Sequence, residues 1–281
     1  MLIPKYSAEA TEHEVQKPWW DLSEKVALVT GATGWLGTEI ATGLVKSGAF
    51  VFLTARNPEK LTSLSENLNR QRLSSVAIAC DLNVKEDVES LNRAIDKRWG
   101  RLDVLVNNAH EFRSRQADLG RFDGLPSDLL SNLDALWNLT SSSIPLLKAT
   151  AEKYNDASII NIASMYAKVS PNPRLYTMTQ SEPNPIFYGA TKAAIIQMTK
   201  WLACNLGPFS IRVNSVSPGA FPNNDVQSQN PKFVSALSKQ SPLGRIGRRE
   251  EIAGAVSFLA SSGSTFITGS DIAVDGGWTA W

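Results

Sequence analysis

Short apolar runs alternate with amphipathic stretches along most of the chain, beginning near residue 25. KVALVT (25–30) is a β-rich run that ends in glycines. In WLGTEIATGLVKSG (35–48), Leu36, Ile40, Leu44 and Val45 fall on one face, the spacing of an amphipathic helix. Further strands are predicted at 49–55, 75–81 and 102–109. Helices are predicted at 58–70, opened by Pro58 in its first turn, and at 84–100, stopped by Gly100. The second half predicts helices at 127–153, 188–206 and 249–261, and strands at 158–164, 210–217 and 271–275. Strand–helix alternation with short connections is the pattern of parallel βαβ units. The strands are nearly unbroken apolar runs, as required when helices cover both sheet faces. The fold class is α/β: a single-domain, doubly wound parallel sheet of about seven strands.

Two segments break this rhythm. Residues 165–187 hold Pro171, Pro173, Pro183 and Pro185 without a helical period, and 217–231 are rich in Pro and Asn. Long irregular loops inside a compact domain usually cover or bind something. Both follow the C-terminal ends of predicted strands, the edge where open α/β sheets take ligands. Residues 1–21 stand apart as an N-terminal arm. Residues 22–281 are expected to form the domain, with 165–187 as its substrate loop.

Composition removes several function classes. The 281 residues include 28 Lys+Arg against 27 Asp+Glu, a formal charge of +1, so there is no basic footprint for nucleic acid. No run of about 18 apolar residues occurs, which excludes a membrane-spanning helix. The N-terminus lacks the apolar segment of a signal peptide, and a cytoplasmic location is expected. Cys80 and Cys204 lie far apart in apolar runs and are expected to be buried thiols in a reducing compartment. His13 and His110 are the only histidines, so no metal site is expected.

The first chemical signal is TGATGWLG (30–37), which sets Gly31, Gly34 and Gly37 at GxxGxxG spacing between a strand and a helix. Glycines there let backbone amides approach a pyrophosphate at a helix N-terminus. An acidic residue ending the second strand would favour NAD through the ribose hydroxyls. The chain has Thr54-Ala55-Arg56-Asn57 instead. An arginine there can grip a 2′-phosphate with forked hydrogen bonds, so NADP is the preferred cofactor and NAD the alternative. The second signal is Tyr188-Gly-Ala-Thr-Lys192. Four helical residues advance about 400°, which stacks the two side chains on one face. An ammonium ~4 Å from a phenol, at an effective dielectric of ~20, contributes about 4 kcal/mol toward its ionisation. Such a pair can move protons near neutral pH.

Together these motifs resemble the short-chain dehydrogenase/reductases, over essentially Leu22 to Gly277. The matching pieces occur in the family's order: KVALVTGATGWLG, CDL (80–82), NNA (107–109), NLT (138–140), INIAS (160–164), YGATK (188–192), IRVNSVSPG (211–219), PLGRIG (242–247) and ITGSDIAVDGG (267–277). The resemblance implies a Rossmann fold of the classical type and a catalytic tetrad of Asn138, Ser164, Tyr188 and Lys192. Ser164 would hydrogen-bond the substrate oxygen and Tyr188 would exchange the proton. Lys192 would hold the nicotinamide ribose and depress the Tyr188 pKa, and Asn138 would organise a relay water. The implied cofactor contacts are Gly31, Thr33, Gly34, Trp35, Leu36, Gly37, Arg56, Asp81, Leu82, Asn108, Ala109, Tyr188, Lys192, Pro218, Gly219 and Phe221. A homo-oligomer, dimer or tetramer, is also implied.

Three features depart from the family pattern. Trp35 stands where TGxxxGxG has its middle glycine, so the triplet takes the spacing of extended-type members. His110 replaces the glycine of NNAG, and 24 positions separate Ser164 from Tyr188, about twice the usual span. The extra loop is expected over the substrate pocket, with His110, Arg113, Tyr166 and Arg174 as candidate substrate contacts. Arg113, Arg115, Lys168 and Arg174 are either solvated surface charges or include some that grip an anionic substrate such as a sugar acid. Trp278 and Trp281 are expected to pack. The expected reaction is NAD(P)-dependent interconversion of a secondary alcohol and a ketone, on a sugar, sugar acid or other polar hydroxy compound of carbohydrate metabolism. The alternatives are a 3-oxoacyl-carrier reductase and, from another class, a dinucleotide-binding sensor without turnover. A nucleotide-sugar epimerase, suggested by GxxGxxG, would need a longer substrate domain after VDGG.

Overall fold

The computed structural model describes residues 18–111 and 127–281. Seven parallel strands form one sheet: β1 (Val26–Thr30), β2 (Phe50–Ala55), β3 (Ser75–Ala79), β4 (Val104–Asn107), β5 (Ala157–Ile162), β6 (Ile211–Pro218) and β7 (Asp271–Val274). Their spatial order is β3-β2-β1-β4-β5-β6-β7. The register sets Leu28 of β1 beside Phe52 on one side and Leu105 on the other. The order reverses between β1 and β4, and that break leaves a crevice at the strands' C-terminal ends.

Successive β1 side chains serve opposite layers. Ala27 and Val29 face α1 (Trp35–Lys46), α2 (Pro58–Arg70) and α9 (Glu251–Ala260), among Ile40, Leu44, Leu61, Val256 and Leu259. Val26 and Leu28 face α3 (Lys85–Trp99), α4 (Ser127–Tyr154) and α6 (Ile186–Leu206), among Leu91, Ile95, Leu147, Leu202 and Leu206. Burial on both faces explains why the strands read as continuous apolar runs. Of the N-terminal arm, residues 1–17 lie outside the described residues. Trp19 stacks edge-to-face on Phe258 at 6.2 Å, and its carbonyl accepts from Ser262 Oγ at 3.0 Å.

The two segments read as loops contain helices. A 3₁₀ turn spans Met165–Ala167, and α5 covers Pro173–Thr179. Asn172 caps α5 by accepting from the Arg174 amide at 3.1 Å, Pro173 takes the first turn, and Leu175 and Tyr176 are buried. The proline counted as a breaker is a helix starter, tolerated where no amide partner is needed. Asn223 and Asn230 likewise cap α7 (Asn224–Gln229) and α8 (Pro231–Gln240), accepting at 2.9 and 3.0 Å. The expected burial holds for Cys80, where burial above all, with Asp87 and Asp81 nearby, pushes the thiol up to about 11. It fails for Cys204, which is exposed on α6. Trp278 packs with Met165, Tyr166 and Leu175 as expected, whereas Trp281 is exposed.

Candidate active site

The crevice holds a cavity of about 610 Å³ at the C-terminal ends of β1–β6. Its first wall is the turn between β1 and α1. Gly31 has φ +59, the left-handed region, and a Cβ on Gly37 would stand 2.1 Å from the Gly31 carbonyl oxygen and 2.7 Å from Asn108 Nδ2. No side chain fits at either position without moving backbone. Gly34 is less constrained, its nearest contact being 3.1 Å from the Gly31 oxygen. Thr30 Oγ1 accepts from the amides of Asn108 and Ala109, both at 2.9 Å, and Asn108 Nδ2 donates to the Thr30 carbonyl at 2.9 Å. The glycine turn and the NNA segment therefore hold each other. Position 35 admits a large residue: Trp35 lines the cavity, and Arg249, paired with Glu39 at 2.9 Å, lies 4.7 Å from its ring.

The opposite wall comes from β5 and α6. Ser164 follows β5, and its Oγ accepts from the Tyr166 amide at 3.1 Å. Ser164 is hydrogen-bonded to Tyr188. Lys192, one turn further along α6, is buried, and its Nζ donates to the Ile162 carbonyl at 2.9 Å. That nitrogen stands 5.8 Å from the Tyr188 ring centroid. Burial lowers the Lys192 ammonium from 10.5 to about 8. Burial likewise raises the Tyr188 phenol above its ordinary value, the Ser164 hydrogen bond opposes this, and Tyr176 adds to it. The expected depression of Tyr188 by Lys192 is thus absent from this structure: an ammonium 5.8 Å from the ring centroid does not outweigh desolvation of the phenol. His110 meets the Tyr188 ring edge-on at 5.2 Å.

Ser164 and all the residues read as cofactor contacts line this one cavity: Gly31, Thr33, Gly34, Trp35, Leu36, Gly37, Arg56, Asp81, Leu82, Asn108, Ala109, Tyr188, Lys192, Pro218, Gly219 and Phe221. His110 lines it too. Asn138 lies on α4 outside the lining. Tyr166 is buried outside the lining, its hydroxyl 2.6 Å from that of Tyr176. Of the expected anion site, the described residues bring neither Arg174 nor Lys168 to the cavity lining. Arg174 points outward from α5, and Lys168 is paired with Asp271. Arg113 and Arg115 lie outside the described residues.

Several contributors were given no role in the motif reading. Asn107 Nδ2 donates to Thr140 at 3.0 Å and to Asn161 at 2.8 Å, and Asn161 Nδ2 donates to Thr199 at 2.8 Å. This buried ladder ties β4, β5, α4 and α6 beneath the cavity. Asn132 clamps Glu111 from both sides, accepting from its amide at 2.7 Å and donating to its carbonyl at 2.8 Å. Tyr176 was signalled only by the Asn-Pro start of α5.

The residues present fit a dinucleotide. A turn that excludes two Cβ atoms opens onto a helix N-terminus, and an arginine lies on the same lining. The buried Lys192 ammonium has a measurable consequence. Its depressed pKa means that the unfolded chain binds more protons between about pH 8 and 10.5. The folding penalty is therefore present below pH 8, fades as pH rises through that window, and amounts to about 3 kcal/mol. Lys192→Met forgoes one hydrogen bond but removes the buried charge. We expect a Tm rise of a few degrees at pH 7, shrinking toward pH 10, in cofactor-free thermal melts. A Tm that falls, or a gain independent of pH, contradicts this.

Comparison with known proteins agrees with this geometry. The family described as enoyl-(acyl carrier protein) reductase matches residues 31–279. The chain is 35% identical to a 3-oxoacyl-[acyl-carrier-protein] reductase of Rickettsia bellii, over 92% of this chain and 98% of that one. It is 31% identical to the rhamnolipids biosynthesis 3-oxoacyl-[acyl-carrier-protein] reductase of Pseudomonas aeruginosa, over 93% and 98%. Among solved structures, a gluconate 5-dehydrogenase from Burkholderia cenocepacia in complex with NADP and tartrate superposes with a TM-score of 0.79 at 29% identity, covering 94% of this chain and 98% of that one. The sheet order, the glycine turn and the Ser–Tyr–Lys wall all agree with these relatives. The chain belongs to the short-chain dehydrogenase/reductase family, NAD(P)-dependent oxidoreductases that act on CH–OH groups.

Proposed function

We propose that the chain interconverts a secondary alcohol and a ketone on a small polar hydroxylated compound, with NADP(H) as preferred cofactor. The observation that carries this is the convergence of Ser164, Tyr188 and Lys192 on the cavity that the glycine turn opens. A bound nicotinamide supplies or accepts the hydride at its C4. Ser164, anchored by the Tyr166 amide, would turn its hydroxyl proton from Tyr188 to the substrate carbonyl. Tyr188 is protonated at neutral pH, because its pKa is raised, and so stands in the donor form that carbonyl reduction needs. Lys192 fixes the α6 side of the cavity and brings positive charge near the phenol.

Arg56 on the cavity rim, with no carboxylate at the end of β2, supports the 2′-phosphate reading. With Arg174 and Lys168 directed elsewhere, an uncharged polyol or hydroxy ketone fits the described residues better than a sugar acid. A second reading, reduction of a 3-oxoacyl group on a carrier, is favoured by the two acyl-carrier relatives. Dimer or tetramer formation is supported by the exposed indoles of Trp137 on α4 and Trp201 on α6, centroids 6.3 Å apart. The described helices include none long and apolar enough to cross a membrane.

The test is a panel of neutral hydroxy ketones, keto sugar acids and 3-oxoacyl thioesters, assayed with NADPH and NADH by nicotinamide absorbance. Highest kcat/KM on the neutral hydroxy ketones with NADPH is expected. Preference for the thioesters establishes the second reading. Tight cofactor binding without turnover of any compound overturns both and leaves a sensor.

A further inference from the structure

Arg56, which follows β2, is already engaged in this structure. Its Nη1 donates to Glu111 Oε1 at 2.8 Å, and both residues line the cavity. The pair joins the loop after β2 to the loop after β4, across the C-terminal end of β1 that lies between those strands. Glu111 does not wander to meet Arg56. Its backbone is clamped on both sides by the Asn132 amide of α4, and its side chain is only 20% exposed, against 58% for Arg56. Arg56 is the exposed partner of the pair and Glu111 the one anchored through its backbone. Another carboxylate on this rim, Asp81, accepts from the Asn83 amide at 3.0 Å.

We infer that Glu111 is a cofactor-discriminating residue, a built-in carboxylate that competes with the 2′-phosphate of NADP(H) for the Arg56 guanidinium. This rests on the NADP(H) reading above. A phosphate carrying close to two negative charges must displace Glu111 and then sit beside it. NAD(H) has no phosphate there and leaves the ion pair closed. Glu111 therefore narrows the preference that Arg56 creates, and the chain accepts both cofactors within a modest ratio. An exposed pair is worth little by itself, but removing it also removes a like charge beside the phosphate.

The experiment measures Kd for NADPH and NADH by fluorescence titration of wild type, Glu111→Gln, Glu111→Ala, Arg56→Ala and the double variant Arg56→Ala/Glu111→Gln. We expect Glu111→Gln to tighten NADPH about fivefold and to change NADH less than twofold. Adding Glu111→Gln to Arg56→Ala should give a smaller selective gain, since only the like-charge repulsion remains once the guanidinium is gone. Glu111→Ala should repeat the selectivity if the glutamine itself finds a new partner. Equal effects on both cofactors, or weaker NADPH binding by both Glu111 variants, overturn the inference while leaving the oxidoreductase reading intact. Failure of wild type to bind either cofactor overturns the dinucleotide reading itself, and this inference with it.

Discussion

Tyr188→Phe should lower kcat by about a thousandfold in either direction while leaving cofactor affinity within about threefold. The phenol lines the cavity, is hydrogen-bonded to Ser164, and stands one helical turn from Lys192. Phenylalanine keeps the ring, and with it the edge contact to His110 at 5.2 Å. What disappears is the O–H, so a loss of rate reports the proton and not the packing. Ser164 still orients the substrate in the variant, and the glycine turn is untouched. The effect should therefore fall on kcat, with KM changing little. Steady-state rates across pH, with a parallel cofactor titration, check this. A variant that keeps more than about a tenth of wild-type kcat would mean that another group delivers the proton.

Gly37→Ala should cost stability and cofactor binding together. The added methyl would stand 2.1 Å from the Gly31 oxygen and 2.7 Å from Asn108 Nδ2. That oxygen accepts from the Gly34 amide at 2.9 Å and from Asn108 at 3.2 Å, so its displacement disturbs the whole turn. Overpacking of a rigid backbone cradle costs about 3 kcal/mol. For a chain of this size that is a Tm loss of roughly 6–10 °C. Cofactor affinity should fall at least tenfold, because the amides at the start of α1 move with the turn. Gly34→Ala serves as the control. Its methyl would meet the Gly31 oxygen at 3.1 Å and needs only a small adjustment, so less than half the Tm loss is expected. Equal losses in the two variants would contradict the geometric account of the turn.

This contrast explains why the glycine motif was legible although it departs from the family pattern. The family resemblance marked Trp35 as an exception. The turn itself demands glycine at Gly31, for its positive φ, and at Gly37, for the close approach. Position 35 opens α1 with its side chain beside Arg249, so an indole is accommodated there. The sheet was legible for a similar reason: runs such as VALVT, buried on both faces, cannot be solvent-facing strands. The helices over 173–179 and 231–240 were not, because Asn-Pro reads as a loop signal while also being a cap followed by a first-turn residue. Lys168 shows a third limit. Its charge and position suggested a substrate contact, and only the fold reveals Asp271 on β7 as its partner. Glu111 left no trace in the sequence, since its role depends on Arg56 and Asn132 meeting it from distant segments.

The account stands on hydride and proton transfer taking place in the crevice where Ser164, Tyr188 and Lys192 meet the glycine turn. The most direct measurement follows deuterium from NADPH labelled at the transferable position of nicotinamide C4 into a hydroxy-ketone substrate, with wild type and Tyr188→Phe side by side. The predicted result is one deuterium on the new carbinol carbon with wild type, and almost none over the same period with Tyr188→Phe. Saturated cofactor binding with no deuterium in the product of any ketone tested, or equal transfer by the two proteins, would contradict it.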